Sequence, residues 1–372
     1  MTALFFSDHS VKGGTDRGFG QQVKWDVPML EGYDHRFLDN EGPGNPAVGF
    51  NTYRFSGFRN VLKELKPDAV VLPGYGFRIY WQAALAAKRL KIPLAVRPEC
   101  VDGAQPKRPR WKAWLRDLLL RFGFFRNVDL FLATGHFSRE EGKRFGFRGE
   151  RLGEALYCID TELFEQRWAE WRGRREEARD ALGMRAEDLG VVFMAKFIDW
   201  KNPALILRAL ETLPAGDRER IFPILVGSGP DFDQVKALAE SVCGPERYAC
   251  PGFVNQSELC RYYAAADVAV LPSKRGHESW GLVVNEAMTC GLPVAVSDGV
   301  GCRVDLVEGK DTGAVFKDED AEQLGQFFSN WLQHPETIKT QGANAQELIQ
   351  KYSSSNAAEG ILNCLRSLQQ IG

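Results

Sequence analysis

Eight short apolar runs, four in each half of the chain, limit what this sequence can fold into more than any other feature. They are ALFFS (3–7), AVVLP (69–73), PLAVR (93–97) and DLFLA (129–133), then GVVFMA (190–195), FPILVG (222–227), DVAVLP (267–272) and PVAVS (293–297). Helix-prone segments separate them, so the pattern reads as strands of parallel sheets with helical crossovers. Residues 161–188, TELFEQRWAEWRGRREEARDALGMRAED, are charged and helix-prone with no strand pattern. They read as a connection whose later part is the first helix of the second half. The expectation is an α/β chain with two Rossmann-like domains facing across a cleft, one over 1–160 and one over 161–355. A C-terminal helix over 356–372 is free to pack back on the N-terminal domain, and ligands should sit in the cleft.

Bulk properties exclude several classes. At 372 residues there is enough chain for two cores, and 44% hydrophobic with 26% charged residues is ordinary for a globular enzyme. A formal net charge of −2 argues against a general nucleic-acid binder. The eight cysteines include no C-x-x-C pair and lie in apolar or helical patterns, which suits reduced thiols. The start MTALFFSDHS lacks a basic leader, and no apolar stretch approaches the roughly 20 residues of a membrane span. The reading is a cytoplasmic protein.

The most informative stretch is HESWGLVVNEAMTCGLP (277–293), in which Glu278 and Glu286 stand eight residues apart. Leu282 to Cys290 reads as a helix, stopped by Gly291 and Pro293. It follows one strand and precedes another, so GHESWG is a crevice loop at a strand's carboxyl end. At about 100° per residue the two acids can face one pocket. The stretch alone also fits a loop acid followed by a helix-surface acid.

Three further loops favour anions. LVGSGP (225–230) carries Gly227 and Gly229 between a strand and a helix but lacks the third glycine of a dinucleotide fingerprint, which counts against NAD. AKFIDWKNP (195–203) places Lys196 and Lys201 directly after a strand, where two cations suit a diphosphate. VKGGTDRGFG (11–20) follows the first strand with Gly13 and Gly14. The acid pairs DFD (231–233) and DED (318–320) fall at a helix start and in a charged turn, so no metal site is expected.

With these residues in view, the chain resembles the family-4 retaining glycosyltransferases of GT-B fold. FMAKFIDWKNP, LVGSGP, PGFVNQSEL, YYAAADVAVLPS and ESWGLVVNEAMTCGLPVAVSD carry the resemblance strongly over 190–355; 1–160 carries it more weakly. It implies that Glu278 touches donor-sugar hydroxyls and that Glu286 grips the nucleotide ribose. Backbone amides around Ser279, Trp280, Gly281 and Leu282 would meet the diphosphate with Lys201. Lys196 stands where the family usually has an arginine, and Phe253 and Val254 fall in the segment that lines the base. Where the family often has a histidine near the reacting carbon, this chain has Arg97, Pro98 and Glu99, so that either Glu99 or Arg97 takes an acceptor-facing role or the chemistry leans on the donor's own phosphate. The resemblance thus implies metal-independent, retaining transfer from a nucleotide diphosphate sugar, as co-substrate, to a saccharide or lipid-linked acceptor. Alternative readings are a non-catalytic nucleotide-sugar binding protein, a sugar epimerase of the same fold and an NAD-linked oxidoreductase.

One segment points to the acceptor. Residues 106–127, PKRPRWKAWLRDLLLRFGFFRN, concentrate bases and helically spaced aromatic and aliphatic residues. They read either as a core helix with a basic solvent face or as an interfacial helix on an anionic membrane surface.

Overall fold

The computed structural model describes residues 1–16, 18–44, 49–100 and 109–371. Among the described residues its first half holds eight strands. They are β1 (Thr2–Phe5), β2 (Gly14–Asp16), β3 (Gln21–Val23), β4 (Asp34–Phe37), β5 (Val70–Leu72), β6 (Leu94–Val96), β7 (Leu130–Ala133) and β8 (Leu152–Glu154). Strands β5-β6-β7-β8 form one parallel sheet in that order, while β1 pairs in parallel with β4 and β2 with β3 as an antiparallel hairpin. The second half adds β9 (Leu189–Met194), β10 (Ile221–Val226), β11 (Ala249–Gly252), β12 (Val268–Leu271), β13 (Val294–Ser297) and β14 (Gly313–Phe316). These make one parallel sheet, ordered β11-β10-β9-β12-β13-β14.

Every residue of β9 and β10 is buried. A parallel sheet covered by helices on both faces needs such continuous apolar strands. All eight apolar runs therefore became strands. The strands missed from sequence (β2, β3, β4, β8, β11 and β14) are three or four residues long, and most are half exposed. The core of the second half lies on both sides of its sheet, with Phe193, Phe197 and Phe222 fully enclosed. Helices Thr161–Trp171 and Arg175–Asp180 of the connection pack on helix Leu259–Ala265 of the second sheet. The last helix, Ser354–Ile371, returns to lie on β7 and β8, with Ile361, Cys364 and Leu365 against Leu130 and Leu132.

The strand order places the site. Strand order reverses between β9 and β12, and a crevice opens beyond the carboxyl ends of strands at such a switch point. The segments leaving β9 and β12 carry Lys196, Lys201, Ser273 and Glu278.

Candidate active site

At the switch point Lys201 Nζ donates to Glu278 Oε2, which also accepts from Ser273 Oγ at 3.1 Å. Both charged side chains are 12% exposed. Glu278 leaves β12 on a loop whose backbone bridges to Val300, so the carboxylate is fixed beside the lysine from the neighbouring strand. Trp280, in the same loop, is buried. Its indole donates to Asn285 Oδ1 at 2.7 Å, and Asn285 Nδ2 donates to the Tyr157 carbonyl at 3.2 Å. Gly281, at φ 99°, takes a left-handed turn into helix Leu282–Thr289, whose N-terminus carries no side-chain cap.

Glu286 sits inside that helix and is buried. Its Oε2 accepts from the Tyr263 hydroxyl at 2.7 Å. Burial pushes its carboxyl up to about 7, the Tyr263 hydrogen bond pulling the other way. Glu278 and Glu286 thus take different partners, an ammonium and a phenol. Such partners suit two separate ligand contacts.

The glycine pair of LVGSGP is a packing necessity. A side chain at Gly227 would lie 1.9 Å from the Ala195 carbonyl oxygen, and one at Gly229 would lie 2.4 Å from that of Phe197. Gly229 also approaches the Gly18 carbonyl of the other domain, and Ser228 Oγ donates to the Phe19 carbonyl at 3.1 Å. The first half's glycine loop therefore reaches the second domain through Gly18 and Phe19. Gly13 and Gly14 stay within their own domain, against Lys24 and His9.

Around this contact the β2–β3 hairpin straps the cleft. Lys196 Nζ lies 2.9 Å from both oxygens of Asp16, and Phe19 meets Phe253 edge-on at 4.9 Å. Asn255 Nδ2 donates to the Lys24 carbonyl at 2.8 Å, and Ser257 pairs with Asp26. A cavity of about 640 Å³ opens between Phe19, Gly20, Ser228, Gly229 and Phe253. Val254 packs partly buried against the core behind it.

On the first domain's side of the cleft, Arg97 and Glu99 have separate roles. Arg97 donates to the carbonyls of Ala155 and Leu156 and lies 4.9 Å from the Tyr157 ring, so it holds the interdomain crossing. Glu99 accepts from Ser279 Oγ at 3.5 Å. Burial, together with a hydrogen bond to Glu99, pushes the Tyr157 phenol up. Glu99 is therefore the side chain of this pair that faces the Glu278–Trp280 loop.

Four contributors escaped the sequence reading: Asp16, Ser273, Tyr157 and Tyr263. Asp16 lies inside a motif whose glycines drew the attention. Tyr263 and Ser273 sit in apolar or strand-end contexts where nothing local marks them as polar partners. Among the described residues no three His, Cys, Asp or Glu side chains gather as a metal site, and all eight cysteines are free thiols.

Segment 106–127 forms a helix at Arg110–Leu119 that continues through a wider turn to Asn127; Lys107 and Arg108 lie outside the described residues. Trp111 is 62% exposed and Trp114 65%, with Leu115, Leu118, Leu119 and Phe122 exposed beside them. Phe125, one turn on, is buried. The core-helix alternative fits only the end of this segment. Among the described residues no helix is long and apolar enough to cross a membrane.

Comparison with known proteins matches residues 174–348 to the family described as Glycosyl transferases group 1 and residues 25–152 to the Glycosyl transferase 4-like domain. The D-inositol 3-phosphate glycosyltransferase of Mycobacterium ulcerans is 35% identical over 169 residues, covering 41% of this chain and 33% of that protein. The chain spans about a third to a half of the length of the first curated relatives it matches. Among solved structures, Anabaena HepE in complex with UDP superposes with a TM-score of 0.68 at 18% identity, over 90% of this chain and 86% of HepE. WaaG, a glycosyltransferase involved in lipopolysaccharide biosynthesis, gives 0.64 at 19% identity, over 97% and 99%. These structural likenesses establish the fold, and the two matched domains establish the lineage. The chain belongs to the family-4 glycosyltransferases of GT-B fold.

Proposed function

We propose that the chain transfers a sugar from a nucleotide diphosphate sugar, with retention at the anomeric carbon and without a metal, to a carbohydrate or lipid-linked acceptor. The observation that carries this reading is the Lys201–Glu278 pair at the switch point, beside the start of helix Leu282–Thr289. Lys201, Lys196 and that helix's amides stabilise charge building on the departing diphosphate, the task a divalent cation performs elsewhere. Glu278 holds donor-sugar hydroxyls, Glu286 the ribose, and the cavity beside Phe253 receives the base. The solved complex of HepE with UDP supports a nucleotide donor of this kind.

Glu99 faces the acceptor. In a front-face displacement the acceptor oxygen attacks from the side the diphosphate leaves. The departing phosphate oxygen takes the acceptor's proton, and no enzyme carboxylate bonds to the sugar. The exposed Trp111–Phe122 face brings the cleft to an anionic membrane carrying the acceptor. Incubating the purified protein with UDP-, GDP- and ADP-sugars and an acceptor panel tests this. Release of nucleotide diphosphate with a product of unchanged anomeric configuration, by NMR, is expected. An inverted product or no transfer overturns it.

A further inference from the structure

Tyr263 is 1% exposed, on helix Leu259–Ala265, and its hydroxyl reaches across to the helix that carries Glu286. Burial keeps the phenol protonated, with the nearby Glu286 charge acting in the same direction, so the hydroxyl can only donate to that carboxylate. Among the described residues Glu286 has no cationic partner and no second hydrogen bond. Its other neighbours are the thiols of Cys290 and, next to Tyr263, Cys260. One oxygen is therefore held and the other left unpartnered. A buried carboxylate with a single donor is an expensive arrangement unless a ligand completes it.

We propose that Tyr263 is the positioning residue of the ribose-binding carboxylate: its hydroxyl fixes Oε2 of Glu286 so that Oε1 and the negative charge are presented to the ribose diol. The inference rests on the reading of Glu286 as the ribose contact. Two sugar hydroxyls donate best to an ionised acid, so nucleotide binding should weaken as Glu286 takes up a proton. The phenol opposes that protonation. Removing it should raise the pH at which binding fails, whereas a merely structural residue would weaken binding equally at every pH.

The test is calorimetric titration of wild type, Tyr263→Phe and Glu286→Gln with UDP-glucose, GDP-mannose and ADP-glucose between pH 5.5 and 9. These pyrophosphate diesters do not themselves take up protons across that range. Wild type should show affinity falling below about pH 7. Tyr263→Phe should move that break upward, binding about tenfold more weakly than wild type at pH 6 and within about twofold at pH 9. Glu286→Gln should bind weakly with no break. Tyr263→Met, a smaller but flexible apolar side chain, replaces Tyr263→Phe should thermal melting show that the latter does not fold. An unmoved break, or equal weakening at all pH values, overturns the role of Tyr263 alone. Wild-type affinity with the break intact in Glu286→Gln, or no binding of any diester by wild type, overturns the ribose reading beneath it.

Discussion

Lys196 and Asp16 belong to different domains and meet across the cleft, with the ammonium 2.9 Å from each carboxylate oxygen. Asp16 also accepts from the amides of Gly18 and Phe19 at 2.8 and 3.1 Å, so one carboxylate both folds the glycine loop and pairs with Lys196. Burial alone would push the Asp16 carboxyl up, but Lys196 and the two amides outweigh this and hold it below the usual carboxylate range. A diphosphate bound as proposed would compete with Asp16 for the same ammonium.

Asp16→Asn keeps an acceptor for the loop amides and removes the competing charge. It should therefore tighten binding of nucleoside diphosphate by several-fold, and Lys196→Ala should weaken it. Both side chains are about a third exposed, so the gain should shrink as salt is raised from low to physiological strength. Titration calorimetry at two salt concentrations measures this. Weaker binding in Asp16→Asn at low salt would show that the loop, rather than the charge, dominates.

Glu286 links the site to stability. Its carboxyl rises from an unfolded value of 4.5 to about 7 in the fold, chiefly through burial. A raised acid favours the folded state below its unfolded value, and that contribution is lost as pH climbs through the folded one. The ligand-free protein should therefore give up on the order of 3 kcal/mol from this group between pH 4.5 and 8. Glu286→Gln should lack that component. Urea denaturation of both proteins at several pH values gives the difference, and parallel curves would contradict it.

Glu278 and Lys201 form a couple, so their losses differ in kind. Lys201→Ala removes a preorganised charge and should raise the transfer barrier by about 2–4 kcal/mol. Glu278→Ala frees Lys201 for phosphate, so turnover should collapse while affinity for free nucleotide diphosphate is kept. Glu286→Ala, by contrast, should weaken donor and free nucleotide alike. Steady-state kinetics beside nucleotide titrations separate the three. Turnover should also survive EDTA, and a requirement for added magnesium would return attention to Asp231 and Asp233.

Legibility followed the range of the interactions involved. Buried parallel strands carry their signal within five or six residues, so β9, β10, β12 and β13 were readable directly. The placement of Lys196, Lys201 and Glu278 on the segments leaving β9 and β12 was legible too, because strand-end loops sit at fixed places along the chain, and Glu286 fell on the helix that the apolar run after Gly281 marks. The contacts Lys196–Asp16, Tyr263–Glu286 and Asn255–Lys24 join residues 180, 23 and 231 positions apart. No local pattern encodes such pairs. Arg97 and Glu99 were indistinguishable in sequence because what separates them is the position of the Ala155 and Leu156 carbonyls, delivered by a crossing nearly sixty residues on.

The exposed face of helix Arg110–Leu119 tests where the acceptor comes from. Two tryptophans more than 60% exposed, with Leu119 and Phe122 alongside, form an apolar surface that water does not favour. Lys112 lies over the Trp111 ring at 5.3 Å, which places a cation at the rim of that surface. On the proposed reading this helix would lie along a membrane, rings below the headgroups and bases among the anionic phosphates. The protein should sediment with phosphatidylglycerol-rich vesicles at low salt and be partly released at high salt, while neutral phosphatidylcholine vesicles retain much less. Trp111→Ala with Trp114→Ala should abolish sedimentation without changing nucleotide affinity, since both rings are largely exposed. Lys112→Glu should weaken it and reduce the salt dependence. A protein that stays in the supernatant with anionic vesicles at low salt, yet transfers sugar to a soluble saccharide at full rate, would place the acceptor in solution.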